Sequence, residues 1–128
     1  DGWTDYIATL SRVSGVEIKD LESLKQALRL RMDYFNARGC KASDHGLDAA
    51  FFRPAAPETV DGIVKKGLAG ETVTPEEGEQ LKTELLLFCA KQYVSLGWVM
   101  QIHYNCLRNP NTKAFRALGP DTGFDCMR

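Results

Sequence analysis

Apolar positions recur at helical spacing over most of this chain and alternate with polar ones in only two short places. Trp3, Tyr6, Ile7, Leu10 and Val13 share one helical face, and Gly15 is a natural stop. Asp20 is placed to cap a second helix carrying Leu21, Leu24, Leu28, Met32 and Phe35 on one stripe, ended by Gly39. "CKASDHG", Cys40 to Gly46, follows that stop directly and is too short for a helix; it reads as a strand with a polar C-terminal end. "FRPAAPE" reads as a loop. Val60, Ile63, Val64 and Leu68 predict a short helix closing at Gly70, weakened by Gly62 and Gly67. The clearest helix starts at an N-cap Thr74, with Pro75 at the first helical position and Glu77 completing a capping box, and ends at Gly97. Its stripe is Leu81, Leu85, Phe88 and Cys89, widened by Leu86 and Leu87. "WVMQIHY", Trp98 to Tyr104, then alternates as a strand, with Trp98, Met100, Ile102 and Tyr104 expected under covering helices.

This order predicts a single partial α/β domain: two helices over 1–39, a strand over 40–46, a helical insertion over 57–97, a strand over 98–104 and a loop region over 105–128. Strands that alternate with helices imply parallel pairing. Two strands alone do not make a stable parallel sheet, which needs cover on both faces and neighbours on its edges. The chain is therefore expected to be a slice of a larger α/β fold, and its start at Asp1 without a methionine agrees with an excised piece.

Composition narrows the function classes. A net charge of -1 and scattered basic residues leave no footprint for nucleic acid. No apolar run is long enough to span a bilayer, so no membrane partner is expected. Cys40, Cys89, Cys106 and Cys126 have no CxxC spacing, and Cys40 and Cys89 fall in segments that read as buried. Free thiols in a reducing, cytoplasmic setting are the expectation.

The chemistry gathers at the strand ends. Gln101 and His103 alternate onto the face opposite Trp98, and Arg108 lies in the loop just beyond, with a planar fork of donors suited to an anion. In "SDHG", Asp44 shares a face with Ala42 and Cys40, and His45 takes the other with Ser43 and Lys41. Active sites of (β/α) barrels are built at such strand ends. Plainer readings stand beside these: a satisfied core histidine at 103, a solvated arginine at 108, and a capping or turn aspartate at 44. Asp44 and His103 on neighbouring strands would form an acid/base pair without a recognisable Ser or Cys nucleophile, which favours proton transfer over acyl transfer.

"GCKASDHGLD", "LAGETVTPEE" and "GWVMQIHYNCLRNPNTKAFRALGPDTGFD" resemble the uronate isomerase (glucuronate isomerase) family of the amidohydrolase superfamily, and the resemblance spans essentially the whole chain. It implies a mostly helical slice of a (β/α)8 TIM barrel, holding about the fifth and sixth strands with a helical insertion between them. It implies interconversion of D-glucuronate with D-fructuronate, and of D-galacturonate with D-tagaturonate. By the same likeness Asp44 and His103 are catalytic, while Arg108, with Gln101 and His45, contacts the sugar acid. The family uses a divalent metal such as Zn, held mainly by a His-x-His pair on the first strand and an Asp on the eighth. This chain has neither, so the resemblance implies no cofactor for the piece alone and an inactive fragment. Asn105 and Cys106 stand where the family commonly shows Gly-Ala, and Pro110 where it commonly shows Asn; an asparagine tolerates the left-handed backbone a glycine there would serve.

The alternative from another class is a stand-alone helical interaction module whose apolar stripes dock on a partner. A small-molecule sugar acid is the partner expected for the enzyme reading. Homo-oligomer formation through exposed apolar surface is expected where barrel strands are missing. A His-x-His upstream and a metal-ligand Asp downstream in the same reading frame would separate the two readings.

Overall fold

A computed structural model describes residues 2–127 as two compact units, one of residues 2–42 and 51–99 and the other of residues 43–50 and 100–127. The first is helical. Helix α1 (Gly2–Ser14) buries Ile7 and Leu10 and stops at Gly15, whose φ of 72° is left-handed. Helix α2 (Leu21–Asn36) begins with a reciprocal cap: Ser23 N donates to Asp20 Oδ1 at 2.8 Å, and Asp20 N donates to Ser23 Oγ at 3.1 Å. Leu21, Leu24 and Met32 of the expected stripe are buried. Phe35 is exposed, because the last turn of α2 runs past the core, and its ring meets Tyr34 edge-on at 5.6 Å.

Helix α3 (Pro57–Leu68) supplies Val60 and Val64, both fully buried. Gly67 is more than a weak point in it: a Cβ there would sit 2.9 Å from the Trp3 ring, so the missing side chain admits the indole. Helix α4 (Pro75–Leu96) is capped as the sequence reads, with Glu77 N donating to Thr74 Oγ1 at 3.2 Å and Thr74 N to Glu77 Oε2 at 2.7 Å. Gly97 ends it at φ 67°. Leu81, Phe88 and Cys89 face the core as expected, whereas Leu87 is exposed. Tyr93 is buried instead, one turn beyond Cys89, and stacks on Trp98 at 5.5 Å.

The four helices close over one cluster that includes Ile7, Leu10, Leu24, Val60, Val64 and Leu81. Polar ties join the elements around it. Asp61 Oδ1 accepts from Leu21 N at 2.9 Å, so a side chain of α3 satisfies an open amide at the start of α2. Lys25 meets Glu84 at 2.6 Å, largely shielded from solvent, linking α2 to α4.

The second unit holds the strands. β1 (Ala42–Leu47) pairs with β2 (Val99–Tyr104). Lys41 O accepts from Val99 N at 2.9 Å, and further along Asp44 meets His103. Both contacts advance in the same direction, which is the parallel sense the helix–strand order predicts. β3 (Cys106–Leu107) pairs antiparallel with β4 (Cys126–Met127). Helix α5 (Thr112–Leu118) lies within the stretch expected to be loop.

Two expectations are corrected here. The Trp98 face is covered only at its start: Trp98 and Met100 are half-buried, while Ile102 and Tyr104 are exposed, because their sheet has only two strands among the described residues. Cys40 is half-buried rather than buried, with its thiol donating to Ala42 O at 3.3 Å, since it lies in the connection between α2 and β1. Cys89 is buried, and burial pushes its thiol up. All four cysteines are free. Among the described residues no helix is long and apolar enough to cross a membrane.

Candidate functional site

Parallel pairing of β1 and β2 places Asp44 beside His103, with Asp44 Oδ1 3.5 Å from His103 Nε2. The distance is at the outer edge of hydrogen-bonding range. More than half of each side chain meets solvent, at 60% for Asp44 and 55% for His103, so the attraction between them in this setting is small. Gln101, two residues before His103 on the same strand face, brings its amide against the same Nε2. Nε2 can donate to Asp44 only when it carries the proton, and it can accept from the Gln101 amide nitrogen only when it does not. These three side chains form a small acid/base constellation on one face of the sheet. It can give up and accept a proton at a substrate without forming a covalent bond.

His45 goes elsewhere. Alternation along β1 carries it to the half-buried face with Ser43 and Leu47, opposite to Asp44.

Arg108 is committed to an aspartate that the reading of single segments missed. Its Nη1 donates to Asp125 Oδ2 at 2.5 Å, and Asp121 Oδ1 lies 3.8 Å away. The other carboxylate oxygen of Asp125 accepts from Asn109 N at 2.9 Å. The amide of Asn109 and the guanidinium of Arg108 hold the Asp125 carboxyl below the usual carboxylate range, and Asp125 in turn raises Arg108. Asn105 at φ 58° and Asn109 at φ 52° take left-handed backbone on either side of β3, so asparagine at 105 does adopt the conformation expected of it. Asp125 lies in the quoted tail "LGPDTGFD", but seventeen residues of sequence separate it from Arg108, and no periodicity links positions so far apart.

Among the described residues no group of three or more His, Cys, Asp or Glu is arranged to hold a metal ion. Asp44 and His103 supply two such groups and Gln101 a neutral amide, so the residues present do not make a metal cradle.

The whole chain, residues 1–128, matches the family model for glucuronate isomerase. A curated uronate isomerase of Lachnoclostridium phytofermentans is 44% identical over 98% of this chain and 27% of its own length. One from Salmonella newport is 46% identical over 99% of this chain, again 27% of its own length. A crystal structure of uronate isomerase from Thermotoga maritima superposes with a TM-score of 0.86 at 27% identity, covering all of this chain and 28% of that one. Glucuronate isomerase from Caulobacter crescentus gives 0.77 at 30% identity, over 95% of this chain and 25% of that one. The chain thus spans about a quarter of the length of the relatives it matches.

Proposed function

Because this chain belongs to the glucuronate isomerase family, we propose that it forms one wall of the site of a longer metal-dependent uronate isomerase. The reaction is aldose–ketose isomerisation of an open-chain sugar acid, D-glucuronate to D-fructuronate and D-galacturonate to D-tagaturonate. The observation that carries this reading is the meeting of Asp44, midway along β1, with His103, near the C-terminal end of β2, across two parallel strands. In this reading β1 and β2 are about the fifth and sixth of eight strands of a (β/α)8 barrel of the amidohydrolase kind, which builds its site at C-terminal strand ends such as the one that carries His103.

In this reading the Asp44 carboxylate takes the proton from C2 of the aldehyde form, while the His103 imidazolium donates to the C1 carbonyl oxygen. The resulting enediol is reprotonated at C1, its C2 hydroxyl losing a proton as the C2 carbonyl forms, so that no atom is gained or lost. Gln101 holds His103 and the sugar hydroxyls, and Arg108 meets the uronate. His45 acts on the sugar only from the opposite face of β1, so its direct contact is the weakest of the assignments. The divalent metal of the family would have to be held by residues outside this chain, and no step is routed through it here. The isolated chain is inactive in this reading, and the enzyme is cytoplasmic.

The test uses the full-length protein with a divalent metal and D-glucuronate, following ketose formation. Asp44→Asn and His103→Asn should each lower kcat by roughly 100-fold to 10,000-fold. Wild-type turnover in either variant removes that residue from the mechanism. No turnover by the unaltered protein removes the isomerase reading.

A further inference from the structure

The registers of β3 and β4 align Cys106 with Met127 and Leu107 with Cys126, so the next rung of the ladder sets Arg108 opposite Asp125. The pair is therefore held by a strand register as well as by its own hydrogen bond of 2.5 Å. Asp125 is bound on both oxygens, one by the arginine and the other by the backbone of the next residue, Asn109. Asn109 itself takes a left-handed backbone, at φ 52°. A guanidinium tied to a carboxylate that is tied to the backbone has lost most of its rotamer freedom before any ligand arrives. The two partners also differ in exposure, 57% for the arginine side chain and 26% for the aspartate, so the arginine is the member presented outward. Only Nη1 is used by Asp125, which leaves Nε and Nη2 as donors.

We propose that Asp125 is a positioning residue that holds Arg108 in the orientation in which it binds the sugar acid. The inference rests on the isomerase reading above. It makes a prediction opposite to that of simple electrostatics. Asp125 is a negative charge beside an arginine that receives an anion, and Asp121 adds a second. If only charge mattered, removing Asp125 would strengthen binding of the uronate. If Asp125 positions the arginine, removing it weakens binding, since a misplaced donor loses most of its contribution.

The experiment measures KM and kcat for D-glucuronate with the full-length metal-loaded protein and its Asp125→Asn, Arg108→Lys and doubly substituted forms. Asp125→Asn is expected to raise KM by ~10-fold to ~100-fold while kcat moves far less. Arg108→Lys is expected to raise KM similarly, and the double variant to be no worse than the worse single one, because the two residues act as a unit. A KM that stays the same or falls in Asp125→Asn overturns the proposal, as do fully additive losses in the double variant. If Asp125→Asn fails to fold by circular dichroism, Asp125→Glu keeps the charge and moves the carboxylate by one methylene. A raised KM at similar kcat then supports positioning, and an unchanged KM overturns it. Failure of the underlying reading looks different: the unaltered protein shows no isomerisation, or Arg108→Lys alone leaves KM unchanged.

Discussion

Every buried side chain among the described residues lies in the helical unit, and the unit that carries Asp44, His103 and Arg108 has none. The first is held by an apolar cluster that four helices share, with caps and ion pairs arranged around it. The second is held by a two-rung ladder, a two-stranded sheet and an arginine–aspartate clasp exposed to water. Its apolar residues, such as Ile102, Tyr104 and Met127, remain open to solvent. The contrast separates two jobs. Hydrophobic burial stabilises without direction, whereas polar contacts set the angle of a particular group.

The sharpest way to break this contrast is to remove apolar volume from each unit. Leu24→Ala, at the centre of the helical cluster, should cost about 2–5 kcal/mol in urea unfolding. Ile102→Ala, already exposed, should cost less than about 1 kcal/mol by the same measurement. Equal losses would mean that the strand face is covered.

Smaller effects come from single helix positions. Thr74→Ala removes the acceptor for Glu77 N and should lower stability by about 1 kcal/mol in a thermal melt. The two interior glycines of α3 should respond in opposite directions. Gly62→Ala meets open space and should stabilise by roughly 0.5–1 kcal/mol. Gly67→Ala presses on the Trp3 ring and should cost about 1 kcal/mol despite the same gain in helix propensity. A stabilised Gly67→Ala protein would show that the indole swings away freely.

Acid should act on both units but expose the second more. Side-chain and backbone donors of Ser23 hold Asp20 below its ordinary value, Lys65 does so for Asp61, and Lys66 for Glu77. Asn109 and Arg108 do so for Asp125. A depressed folded-state value means stability that is present above the unfolded carboxylate range, near pH 4, and lost as pH falls through the folded value. Below about pH 4 the Asn109 amide should therefore lose protection from hydrogen exchange before the amides of α2, whose apolar packing does not titrate. Simultaneous loss would contradict the separation of the two units.

The helices were legible because each carries its evidence within a few residues. Asp20 with Ser23, and Thr74 with Glu77, are contacts over one turn, and Gly15 and Gly97 are stops that need no distant partner. Helix α5 was not legible: it has seven residues and buries none, so it shows no apolar stripe, and only its Asn111 cap and Gly119 mark its ends. Lys25 with Glu84 and Trp98 with Asn36 were equally invisible, since each joins residues about sixty positions apart.

At the site the division is the same. Gln101, His103 and Arg108 were legible as polar groups toward the end of a strand, Asp44 as a polar group that the structure places midway along β1 rather than at its end, and the family likeness was legible in the phrases around them. By itself the sequence determined where helices begin and stop, which stripes are apolar and which family the chain belongs to, because those properties are written in neighbouring residues. Only the tertiary structure decided that Asp44 meets His103 and that Arg108 answers to Asp125. Those outcomes depend on strand pairing between distant segments, and a register shift of one residue would have turned every one of these side chains to the opposite side.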